Sequence, residues 1–115
     1  MLSLLFTIAI LAAPISSLSA SPELNELAQR YHKMASSLDT DEMTTSVSVR
    51  GTSLVYVYRH AAVHDEKRAK EILGGYVALL SDQLNTVQEK APECTSIVIE
   101  IANKDGKVLA RAELK

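Results

Sequence analysis

Two runs of apolar–polar alternation, one on each side of Gly51-Thr52, constrain this chain more than any other feature. Met43, Thr45, Val47 and Val49 alternate with Thr44, Ser46, Ser48 and Arg50. That period of two belongs to a strand with one buried face. Gly51-Thr52 suits a two-residue hairpin loop, with glycine where a positive φ is wanted. The loop then pairs Val49 with Leu54, Val47 with Tyr56 and Thr45 with Tyr58, which makes these the inner face. The outer face carries Ser46, Ser48, Val55, Val57 and Arg59.

A second pair of alternating runs closes the chain. Ile97, Ile99 and Ile101 alternate with Ser96, Val98, Glu100 and Ala102, and Ala110, Ala112 and Leu114 with Leu109, Arg111 and Glu113. Two turns compete between them. A three-residue loop with a glycine bulge suits the local residues. A two-residue Asp105-Gly106 loop instead sets Ala110, Ala112 and Leu114 opposite Ile101, Ile99 and Ile97. One residue of slip exchanges the faces of a strand, so the hydrophobic pattern favours the two-residue loop. It also places Glu100 opposite Arg111.

Helical periodicity precedes each hairpin. Ser21 is a fitting N-cap, with Pro22 at the first helical position. Leu24, Leu27, Ala28, Tyr31, Met34, Ala35 and Leu38 then form one stripe. A second, longer helix begins at His64 or Asp65. It is marked by Ala69, Ile72, Leu73, Tyr76, Val77, Leu80, Leu84 and Val87, and Pro92 forbids its continuation. Gly74-Gly75 in its middle suggests close packing or a kink. The order α-β-β-α-β-β predicts a two-layer α+β domain: a four-stranded antiparallel sheet with two helices on one face.

Residues 1–20 read differently. They hold no charged side chain and make a compact apolar run broken by Pro14, then the small residues Ser16, Ser17, Ser19 and Ala20. This is the order of a secretory signal peptide, cleaved to leave a single domain over residues 21–115. The expected location is secreted or periplasmic, with no stable membrane insertion after cleavage.

The chain has 115 residues and a formal net charge of -2, with no basic stripe to serve as a nucleic-acid footprint. Its one cysteine excludes an internal disulfide framework. No phosphate loop, nucleophile elbow or dinucleotide-binding glycine pattern occurs. His60 and His64 stand four apart, as metal ligands on a helix do, but they fall at a strand-to-helix junction and lack a third partner. Cys94 is a candidate thiol with no base fixed beside it. A small metal- or thiol-dependent enzyme built on His60, His64 and Cys94 is therefore the alternative expectation. The leading one has no catalytic residue, metal or cofactor. It is an exported domain of the inhibitor, immunity or envelope-assembly type, binding a protein partner or a second copy of itself. Val55, Val57, Val98 and Leu109 form the expected contact, because apolar side chains on an outer sheet face often mark one.

Overall fold

The structure, a computed structural model, describes residues 21–115; the expected signal peptide lies outside the described residues. Seven elements follow one another: α1 (Pro22–Ser36), β1 (Met43–Arg50), β2 (Ser53–His60), α2 (Glu66–Leu80), α3 (Gln83–Lys90), β3 (Ser96–Ala102) and β4 (Val108–Leu114). The strands form one sheet in the order β1-β2-β3-β4. β1–β2 and β3–β4 are antiparallel hairpins, whereas β2 and β3 run parallel. The fold is therefore α+β as expected, but its sheet is mixed and carries three helices. The antiparallel expectation fails at the centre because β2 and β3 are joined through helices over residues 61–95. Such a crossover returns the chain to the end where it began, and the next strand then runs in the same direction.

The capping residues act as the sequence suggests. Ser21 Oγ accepts from the Leu24 N–H at 3.1 Å, and Asp65 Oδ1 from the Arg68 N–H at 2.8 Å. The long second helix divides at Ser81 and Asp82 into α2 and α3. Ser81 Oγ donates to the Ala78 carbonyl at 3.1 Å, a local bond of the kind that competes with helical hydrogen bonding. Gly74 and Gly75 cause no break and pack against nothing: both are exposed within α2, and an added Cβ would meet no atom within 4 Å. Each still costs the helix up to about 1 kcal/mol relative to alanine.

The first hairpin has the expected register, Val49 opposite Leu54 through Thr45 opposite Tyr58, with Gly51 at φ 65°. In the second hairpin both competing tendencies are satisfied. The turn closes with Asn103 N–H donating to the Lys107 carbonyl, and Gly106 takes φ 88°, the three-residue glycine geometry. Ala102 accordingly faces Val108, yet Ala110, Ala112 and Leu114 face Ile101, Ile99 and Ile97. An irregularity between Ile101 and Ala102 absorbs the difference and leaves Leu109 as the extra residue. The two-residue loop is thus corrected, while the register it was chosen to explain stands.

One core lies between sheet and helices. Leu24, Leu27 and Ala28 of α1, Ala69, Leu73 and Leu80 of α2, and Leu84 and Val87 of α3 meet the inner faces of the strands. Ile97, Ile99 and Ile101 of the central β3 are fully buried. Ser53 and Ser96 join the parallel strands through their hydroxyls at 2.6 Å, and Thr52 and Thr95 do the same at 2.9 Å.

Candidate functional site

The outer face of the sheet is not the open apolar patch that alternation suggests. Val55 and Val98 are buried and Val57 is half-buried. Leu109, displaced by the bulge, packs against the core cluster rather than joining the other three. The cover comes from charge. Glu100 of β3 is buried on this face, and its Oε2 receives Arg50 from β1 at 3.2 Å and Arg111 from β4 at 3.6 Å. Arg50 starts opposite Ser53, so to reach Glu100 its stem runs diagonally over the row that holds Val55 and Val98. Arginine commonly lays its methylenes on apolar surface while its head stays in water. Two edge-strand cations thus meet one carboxylate of a central strand on this face.

The helical side is where apolar surface remains. α1 packs on β1, while α2 packs on β3 and β4. The inner face of β2 lies between them, and its tyrosines continue the packing. Tyr56 and Tyr58 stack with ring centroids 6.1 Å apart, and Tyr58 stacks on Tyr76 of α2 at 3.6 Å. One depression is lined by Tyr31, Met34 and Ala35 of α1 with Tyr56 and Gln83. A second is lined by Ile72, Gly75, Tyr76 and Leu79 of α2. The tyrosine stack connects them. The large apolar side chains most open to solvent are Leu38 (74% exposed), Leu79 (72%) and Met34 (62%), and of these Met34 and Leu79 line the two depressions.

Burial favours the neutral form of the tyrosine hydroxyls here. Burial raises the Tyr76 hydroxyl above its usual pKa; burial and then the neighbouring Tyr76 push Tyr58 up to about 12. Burial and then Tyr58 also raise Tyr56. These groups are neutral apolar bodies with a polar tip. Tyr76 Oη lies 3.4 Å from His60 Nε2, and His60 is held below its ordinary pKa by burial and then by Arg68.

The residues of the enzyme alternative do not converge. His60 ends β2, whereas Cys94 precedes β3, which starts beside Ser53 at the other end of β2. Seven residues of strand, roughly 23 Å, separate those ends. His64 is exposed. Cys94 is 1% exposed, its Sγ donates to the Ser96 carbonyl at 3.4 Å, and burial raises its pKa, the reverse of an activated thiol. The same burial prevents it from cross-linking two copies of the folded chain. Among the described residues no group of three or more potential ligands could hold a metal ion, and no helix is long and apolar enough to cross a membrane.

Met34 and Leu38 were legible as apolar but not as exposed. Leu38 falls beyond the C-cap Ser37, where the helical stripe no longer applies. Leu79 is a leucine lying off the α2 stripe beside the buried Leu80, and that mismatch is the signal the sequence offered.

Comparison with known proteins supports this architecture. No protein-family model matches the chain, and no curated protein sequence does. Solved structures do. An inferred secreted protein from Pseudomonas aeruginosa aligns with a TM-score of 0.52 at 14% identity, over 84% of this chain and 96% of that one. The pilotin EpsS from the Vibrio vulnificus type 2 secretion system aligns with a TM-score of 0.51 at 14% identity, over 80% of this chain and 87% of that one. At such identities the likeness is one of fold.

Proposed function

We propose that this chain is an exported, non-enzymatic envelope protein that binds a protein partner in the manner of an assembly factor. One observation carries the reading: Met34, in the depression beside α1, and Leu79, in the depression on α2, stand exposed on either side of the stacked tyrosines. Exposed apolar side chains gathered in this way mark contact surfaces, and aromatic residues and methionine are enriched at the centres of interfaces. The occupant that fits is an amphipathic helix of the partner, laying its apolar face across the two depressions. The fold shared with a secreted-protein candidate and with a secretion-system pilotin supports a place in the envelope. The signal-like residues 1–20 supply the route there.

The test is the pair Met34→Asp and Leu79→Asp. Both positions are exposed, so the fold should survive with an unchanged melting temperature. Co-purification of the partner from envelope extracts should be lost in both. Retention of the partner by both variants contradicts the reading. The outer face supplies the second surface, because Val57 keeps part of its side chain open there. Partner loss in Val57→Asp with full retention in Leu79→Asp would transfer the contact to that face.

A further inference from the structure

The two borders of the sheet are finished differently, and the difference identifies an interaction. At the β1 border two outward backbone donors at the middle of the strand are taken: Val47 N–H donates to His32 Nδ1 at 3.0 Å and Thr45 N–H to Asp39 Oδ1 at 2.9 Å. At the other border the strand order ends at β4, with no further strand among the described residues. An unpaired border of this kind is a template for another strand.

We infer that a second copy of this chain pairs there, β4 against β4, antiparallel about a two-fold axis at Ala112. A two-fold contact brings one patch against itself, so the strand must complement its own sequence. With the axis at Ala112, Arg111 faces Glu113 of the second copy and Glu113 faces Arg111, while Ala110 faces Leu114. Unlike charges meet twice on the outer side and apolar residues on the inner side. An axis at Arg111 or Glu113 sets like charges opposite each other, which opposes pairing.

The helix above the border agrees with this arrangement. α2 packs on β3 and β4, so across the axis its counterpart lies two strand spacings away, roughly 9–10 Å, the ordinary distance between packed helices. Tyr76 turns one flank of α2 toward Tyr58 of β2. Gly74 lies on the opposite flank, which faces the free border, and Ala78 follows one turn later. Gly74 is exposed, with no atom within 4 Å of where a Cβ would stand. Against a second helix it permits close approach.

This inference is independent of the cleft, and its test is the oligomeric state of the purified protein by sedimentation equilibrium. The wild-type chain should reach twice its protomer mass. Glu113→Arg, which sets arginine opposite arginine at both pairs, should weaken the dimer by roughly tenfold or more. Gly74→Glu should also dissociate it. Because the Cβ at Gly74 has room, that variant should melt no lower than wild type as a dilute monomer. Hydrogen exchange in β4 should slow as protein concentration rises, while that of β1 stays constant. A wild-type chain that remains monomeric to its solubility limit overturns the inference, as does a dimer indifferent to both substitutions.

Discussion

Both faces of the sheet carry apolar side chains, but they are covered by different means. On the outer face a buried Glu100 gathers Arg50 and Arg111, and Val55 and Val98 are buried beside it. On the inner face the helices bury one set of side chains completely and leave another standing in solvent. Apolar composition therefore does not locate a binding surface. What decides is whether a neighbour in the fold is long enough to cover the residue. Arginine reaches from an edge strand to a central one, whereas Met34 and Leu79 stand 62% and 72% exposed beside their depressions.

Adjacent leucines give the largest contrast. Leu80 is 7% exposed in the core, so Leu80→Ala should cost about 2–5 kcal/mol in urea unfolding. Its neighbour Leu79 touches water, and Leu79→Ala should change stability by no more than about 0.5 kcal/mol while weakening partner binding. Equal costs at the two positions would break the distinction between buried and presented surface.

An intermediate effect is expected on the outer face. Arg50→Ala leaves Glu100 with one cation and uncovers Val55. Loss of a partner from a buried pair costs more than the roughly 0–1 kcal/mol of an exposed one, but Arg50 is itself 63% exposed and screened. A loss of about 1–2 kcal/mol, shrinking as salt is raised, is the expected result. No loss at low salt would mean that the bridge does not hold this face closed.

The smallest effect concerns pH. His60 titrates lower in the folded chain than in the unfolded one, so the unfolded chain binds its proton first. Stability contributed by neutral His60 is complete above about pH 6.5, the ordinary histidine value, and declines as pH falls below it. Thermal melts should show that decline, and His60→Gln should flatten it. A steeper decline in the variant would contradict the assignment.

Most of the fold was legible because its signals were local. Ser21, Asp65, Gly51 and the period-two runs fixed caps, turn and register from neighbouring residues alone. The direction of β3 was not local. Its run Ser96-Ile-Val-Ile-Glu-Ile-Ala is buried at every position, and a nearly continuous apolar run is how a central parallel strand reads. Pairing the hairpins antiparallel overlooked that signal. The bulge at Leu109 was hidden because turn chemistry and strand pattern each favoured a different register, and an extra residue satisfied both. The cleft was the least legible part. Exposure of Met34 depends on how α1 sits against β2 and α3, a placement that helical periodicity does not contain.

The claim that the helical cleft, and not the outer sheet face, meets the partner can be tested in the native host. A photoreactive amino acid is placed at Leu79 in one strain and at Val57 in another, and both are irradiated. The account predicts a discrete adduct with an envelope protein from position 79 and none from position 57. An adduct from position 57 alone would contradict it.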